Sequence, residues 1–358
     1  MKRSASTILA FTTASLVGTT GCLFDEEEPA PEPEPPTSTE LVSDLCDWSV
    51  GDVGITASDV VLTRHGLVGL CEYPGGSQHS LVRYDPDTDR TQSLYGVRDF
   101  QVDWMSRVDA DTLILDDGAS ALYVVDLTTE RPEPRRLVDY GLNGGEGWIG
   151  GPVVIEGEVY YELTRRDGDA ARHLVEKVSL AGMDQTPTVV TELPWPAPYL
   201  TALDGDLYLF GGASQQRIAA HLALGGEAPQ LTVLVDRERG VYEPMDFYGT
   251  VGGRVVWQDG DRVHEIVGDT MTEVTLPCRI GNYARAWETM ILHAADSDYS
   301  ECGQLLAQDV ATAEVRQAPI DAVGFDDHSV IGVDGDTFYA YKTDHQYTTI
   351  VASTLVSR

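Results

Sequence analysis

Ile155-Glu156-Gly157-Glu158-Val159-Tyr160 returns as Leu203-Asp204-Gly205-Asp206-Leu207-Tyr208 and again as Val333-Asp334-Gly335-Asp336-Thr337-Phe338. Looser copies stand at Val251-Gly252-Gly253-Arg254-Val255-Val256 and Val108-Asp109-Ala110-Asp111-Thr112-Leu113. Each has the composition of a tight hairpin. Gly or Asp takes a turn position with φ > 0, and the apolar residues after it open the return strand. Weaker versions, Thr63-Arg64-His65-Gly66-Leu67-Val68 and Ala286-Trp287-Glu288-Thr289-Met290-Ile291, extend the series. The third residue of each unit then falls at 65, 110, 157, 205, 253, 288 and 335. The steps average about 45 residues, and only that from 253 to 288 is short, so seven units span residues 44–358.

A second turn recurs as Asp85-Pro86-Asp87-Thr88, Asp126-Leu127-Thr128-Thr129 and Asp309-Val310-Ala311-Thr312. Asp at the head of such a turn can accept a bond from the backbone two residues on. A unit of this length holding four short strands is a propeller blade. The expected body, residues 41–358, is therefore all-β: a β-propeller of seven blades, each of four short antiparallel strands. A β-sandwich or a β-solenoid is the alternative. Leu207-Tyr208-Leu209-Phe210-Gly211-Gly212 and Tyr84-Asp85-Pro86-Asp87-Thr88 resemble pieces of a Kelch blade. The resemblance covers a few residues of two units and implies a degenerate propeller, with no WD dipeptide anywhere.

The N-terminus reads differently. Met1-Lys2-Arg3 is a basic start, Ile8 to Val17 is mostly apolar, and Thr19-Thr20-Gly21-Cys22 supplies small residues at a cut site. That order is a signal peptide, with an apolar part too short to span a bilayer. Cys22 directly after the small residues resembles the lipobox of bacterial lipoproteins. The resemblance implies that Cys22 carries a diacylglyceryl thioether and becomes the new N-terminus. Thr19 stands where that family usually has Leu, and an ordinary secretory peptide is the other reading. Leu23 after the cysteine lacks the Asp of an inner-membrane retention signal. The expected address is therefore the bacterial cell envelope, with the outer membrane favoured and the body in the periplasm or on the cell surface.

Residues 25–40, DEEEPAPEPEPPTSTE, hold seven acids, five prolines and no base. Such a stretch cannot bury enough apolar surface to offset its ordering entropy. It reads as an extended tether reaching about 50 Å at about 3.1 Å per residue. The expected divisions are thus a signal peptide over 1–21, a lipidated tether over 22–40 and the body over 41–358.

With Cys22 assigned to lipid, Cys46, Cys71, Cys278 and Cys302 remain. Four thiols in an exported chain imply two disulfides, and three connectivities are open. The sequence-local pairing is Cys46 with Cys71 and Cys278 with Cys302. No two cysteines have the short spacing of a zinc knuckle. The chain carries 58 acidic against 24 basic side chains, a formal net charge of −34. That excludes nucleic acid and anionic lipid as natural partners of the body. Contact with a membrane is expected through the lipid anchor only.

Motifs of catalysis and cofactor binding fail on inspection. Gly145-Glu146-Gly147-Trp148-Ile149-Gly150 matches a dinucleotide fingerprint, but Gly151-Pro152 and a strand-like run follow where a helix is needed. Asp85, Asp87 and Asp89 alternate as in a calcium loop, but Arg90 replaces the required Gly and Gly96 the bidentate Glu. His264-Glu265 begins a zinc-protease pattern that Gly268 ends, and there is no G-x-S-x-G elbow. No metal or cofactor is expected.

In a propeller the connections between blades converge on one face around the central channel. By the repeat register these carry Glu146 and Trp148, Trp195 and Tyr199, Tyr242 and Asp246, Tyr283 and Arg285, and Asp326 and Asp327. Aromatic faces beside carboxylates suit sugars or cationic groups. The candidate ligand residues are therefore Trp148, Trp195, Tyr242, Asp246 and Tyr283, or else these aromatics wedge neighbouring blades together. Two function classes follow. One is a monomeric, non-catalytic binding or scaffold module for a protein, glycan or cationic ligand. The other is an envelope enzyme, a hydrolase, lyase or quinone-dependent protein with its site at the channel mouth. Fold alone does not choose between them.

Overall fold

All seven repeated turns lie between the first and second strands of a small antiparallel sheet. At Asp204–Gly205 both residues have positive φ (53° and 86°), the geometry that matches the right-handed twist of the flanking strands. The computed structural model describes residues 39–42, 46, 56–72, 79–97, 102, 104–117, 120–142, 146–167, 170–212, 216–238, 248–259, 262–278, 280, 284–294, 305–319, 328–344 and 347–357.

Among the described residues the first strand is β1 (Thr39–Val42). Blade one follows as β2 (Thr56–Thr63), β3 (Gly66–Glu72), β4 (His79–Asp85) and β5 (Arg90–Val97). Blade two is β6 (Trp104–Arg107), β7 (Thr112–Asp116), β8 (Ala121–Asp126) and β9 (Arg135–Asp139). Blade three is β10 (Gly147–Ile155), β11 (Glu158–Asp167), β12 (Ala170–Ser179) and β13 (Thr188–Leu193). Blade four is β14 (Tyr199–Leu203), β15 (Asp206–Gly211), β16 (Gln216–Ala223) and β17 (Gln230–Glu238). Blade five is β18 (Tyr248–Val251), β19 (Arg254–Asp259), β20 (Arg262–Val267) and β21 (Thr270–Val274). Blade six has β22 (Arg285–Trp287), β23 (Met290–Ala294), β24 (Leu305–Asp309) and β25 (Val315–Ala318). Blade seven has β26 (His328–Asp334), β27 (Thr337–Asp344) and β28 (Tyr347–Thr354), and β29 (Val356–Ser357) ends the chain.

The first strands line the middle. β10 lies against β14, β14 against β18, β18 against β22, β22 against β26, β26 against β2 and β2 against β6. The protein is a seven-bladed β-propeller, and among the described residues there is no helix. Two strands depart from the simple repeat. β1 pairs antiparallel with β28 and so supplies the outer strand of blade seven, with Thr39 opposite Ala352. It takes in Thr39 and Glu40, the last two residues of the segment expected as tether, because an open strand edge offers their backbone ladder bonds. β29 adds a fifth strand at the edge of blade six, against β25.

Alternation along each strand sends one row of apolar side chains to each neighbouring blade, so the core is a set of layers between blades. Between blades three and four these are Val175, Leu193, Leu200, Leu207, Leu209 and Ile218, with others. Between blades four and five the layer is aromatic. Tyr199 and Tyr248 lie 5.0 Å apart by ring centroids, Phe210 is 5.6 Å from Tyr248, and Trp257 is 5.9 Å from Phe210. The recurrent Asp turns join third to fourth strands. Asp85, Asp126 and Asp309 accept from the backbone N–H two residues on, at 3.0, 2.9 and 2.9 Å.

Cys46 and Cys71 form a disulfide, Cα atoms 5.7 Å apart. It ties the connection after β1 to β3 of blade one. Cys278 is also disulfide-bonded, and Cys302, its expected partner, lies outside the described residues.

Candidate functional site

Antiparallel strands divide the turns between two ends of the propeller. One end carries the turns between first and second strands and between third and fourth. Every one of these turns is described. The other end carries the connections between blades, where the sequence places its candidate ligand residues.

Of those, Trp148 is the second residue of β10, half-buried, with the Arg166 guanidinium 5.5 Å above its ring. Trp195 is different. It is 9% exposed and packs in the apolar layer between blades three and four, which is the place of a wedge rather than of an open ligand face. Tyr199 likewise stacks between blades four and five. Tyr242, Asp246 and Tyr283 lie outside the described residues, as do Cys22, Asp326 and Asp327. Trp148 and Trp195 are thus described in different settings.

The channel contains what the repeat register missed. Arg285 and Trp287 belong to β22, an inner strand, and two-residue spacing puts both on the side turned to blade seven. Arg285 donates through Nη1 to Val60 O and Ile331 O, both at 3.1 Å, and its Nη2 stands 3.3 Å from Asp59 Oδ1. One guanidinium therefore joins the inner strands of blades six, seven and one. Burial pushes the Asp59 carboxyl above its usual value, against the lowering effect of Arg285. Two residues on, Trp287 donates through Nε1 to Val333 O at 3.0 Å, and its ring meets the Arg107 guanidinium of blade two at 4.7 Å. Gly332 leaves room for that ring, since a Cβ there would sit 2.6 Å from it. Arg285 and Trp287 bridge the channel in two layers. The signal for them in the sequence is two large polar side chains at alternate positions just before a repeated turn.

At the fully described end, two clefts open between blades. One of about 420 Å³ lies between blades six and seven, lined by Glu288, Asp309, Glu314, Arg316 and Asp334 among others. Its acids outnumber its one base, and Arg316 is engaged with Asp336 at 3.0 Å. The other, about 710 Å³, lies between blades seven and one, with Arg64, His65, Arg83, Asp85, Asp334 and Tyr339 among its walls. Burial and the nearby Asp334 and Asp87 carboxylates raise the Tyr339 hydroxyl pKa. Carboxylates at this end also clamp blades together. His65 Nε2 is 2.8 Å from Asp111 of blade two, and Arg64 pairs with the same carboxylate. His221 of blade four lies between Asp269 of blade five at 2.8 Å and Asp206 at 3.0 Å, stacked on Tyr208. Among the described residues no three His, Cys, Asp or Glu side chains group as a metal site.

No protein-family model and no curated protein matches the chain. Solved structures do. An oligogalacturonate lyase in complex with manganese aligns over 90% of this chain and 97% of its own, at 13% identity and a TM-score of 0.56. The CNH domain of AfRom2 aligns over 88% and 98%, at 11% identity and a TM-score of 0.51. The β-propeller domain of the Trilobed protease from Pyrococcus furiosus aligns over 85% and 95%, at 10% identity and a TM-score of 0.51. At these identities the likeness is one of fold, and it places the chain among the β-propellers.

Proposed function

We propose that the protein is a lipid-anchored envelope lipoprotein whose propeller is a non-catalytic binding or scaffold module. The observation that carries the binding role is the pair of clefts, about 420 and 710 Å³, between blades six and seven and between blades seven and one. Arg285 and Trp287 are engaged with backbone carbonyls of neighbouring blades and Arg107 lies over the Trp287 ring, so the clefts and the connection loops are the surfaces offered to a partner. The acidic composition suits a cationic partner, and the exposed part of that attraction should be screened beyond about 8 Å at physiological salt. The anchor rests on the Cys22 segment, and the acidic Pro-rich stretch leads from it to β1.

Two measurements test this. Cys22→Ser should move the protein from the membrane fraction to the soluble envelope fraction. A wild-type protein that is soluble and carries no acyl mass removes the anchor. For binding, a polyamine such as spermine serves as probe, titrated at low and physiological salt. Trp148→Ala combined with Tyr242→Ala should weaken its capture by about 2- to 30-fold, the range of one or two cation–π contacts. The melting temperature should hardly move. A collapse in stability instead would mean that these rings wedge blades and do not face a ligand.

A further inference from the structure

Glu162 lies in the middle of β11 and is 0% exposed. Its Oε1 accepts the Thr164 hydroxyl at 2.6 Å and stands 3.1 Å from His173 Nδ1, and that nitrogen is 2.7 Å from Thr164 Oγ1. The Ala197 N–H, on the connection from blade three to blade four, also donates to this carboxyl. Its Oε2 has no partner, and Trp195 Nε1, in the same interface, has none either.

No cation is placed to meet a charge here. On the blade-three face turned to blade four, alternation sets Glu158, Tyr160 and Arg166 of β11 beside Glu162, and His173 and Lys177 of β12 across from them. Lys177 is engaged with Glu158 at 3.8 Å and lies over Tyr160, while Arg166 lies over Trp148. β10 offers Gly150 opposite Glu162, and on β13 Glu192 is exposed and paired with Arg172. Blade four turns Leu200, Leu207, Leu209, Ile218 and Ala220 towards the carboxyl. Its titratable Tyr199, Tyr208 and His221 face blade five instead. A buried carboxylate with an orphan oxygen against an apolar wall is costly, and a proton removes most of that cost.

We propose that the interface between blades three and four is a proton-operated latch, closed while Glu162 is protonated and loosened, together with connection 194–198, when it is charged. Burial pushes the carboxyl up to about 7, from an ordinary 4.5. Burial also holds His173 below its ordinary value, so the imidazole stays neutral where Glu162 loses its proton and supplies no counter-charge. Between the two carboxyl values the closed interface keeps a proton that the opened one has released. Opening therefore grows easier as pH rises through that window, about tenfold per pH unit, and is level above it. The latch stands whether or not the propeller binds a partner.

Native-state hydrogen exchange on the full chain tests it through the Ala197 amide, corrected for intrinsic exchange. In the wild type the opening constant should rise about 80-fold between pH 4.5 and 7 and flatten within about a further twofold above it, whereas in Glu162→Gln it should change less than about threefold. A flat wild-type profile, or the same rise in the variant, overturns the latch. A second reading needs no substitution: the ¹³C carboxyl resonance of Glu162 in the wild type should titrate near pH 7. A midpoint near the ordinary carboxylate value overturns it too.

Discussion

Replacing Trp287 with Ala should destabilise the propeller by about 3–5 kcal/mol, the range for losing a buried aromatic side chain. The ring is only 8% exposed although it stands in the channel. Three contacts are lost together: the bond to Val333 O, the Arg107 guanidinium and the packing over Gly332. Because Trp287 links blade six to blades seven and two, the loss is felt by the ring and not by one sheet. Trp287→Phe keeps a ring and drops the N–H donor, so it should cost only about 1–2 kcal/mol more than nothing, in line with one hydrogen bond and slightly looser packing. Urea unfolding monitored by far-ultraviolet circular dichroism reads both. A Trp287→Ala loss below about 1 kcal/mol would show that the channel does not depend on this side chain.

Cys46→Ser combined with Cys71→Ser is the second large expected effect. The bond closes a loop of sequence separation 25, for which the chain-entropy estimate is about 3–4 kcal/mol. Position adds to length here. β1 pairs with β28 of blade seven, and the disulfide fastens the segment after β1 to β3 of blade one. Without it, the strand that completes blade seven is held by a four-residue ladder with one register shift. Denaturant midpoints with and without the bond, at equal slope, measure the loss. Equal midpoints would mean that the ladder alone secures the ring.

Local chemistry was the part of this fold that the sequence made plain. Seven hairpins and three Asp turns are set by residues within six positions of one another, and each sits where the repeat put it. The short step from 253 to 288 also has a structural cause. In blade five only two residues separate β19 from β20 and two separate β20 from β21, and its outer strand has five residues. What the register missed depends on partners far along the chain. Pro194-Trp195-Pro196-Ala197-Pro198 holds Trp195, which the repeat register set among the candidate ligand residues of a connection, with a blade wedge as the alternative. The segment is drawn into the interface by Gly151 N–H to Pro198 O and Gly212 N–H to Pro196 O, both 2.8 Å. Arg285 looked like a loop residue because β22 has only three residues, too few to show alternation. The pairing of Thr39 with Ala352 leaves no local mark at all.

That pairing also fixes an order of events. A chain made from its N-terminus presents β1 first, yet β1 has no strand to join until β28 exists. Hairpins within blades one to five need only near neighbours and can form in microseconds, whereas closing a loop that spans nearly the whole body is the slow, high-contact-order step. Until then β28 offers an unpaired edge and β1 lacks its ladder partner, and both are open to pairing with another chain. The last eight-residue strand to be synthesised, Tyr347–Thr354, thus sets the moment at which the first one, Thr39–Val42, becomes protected.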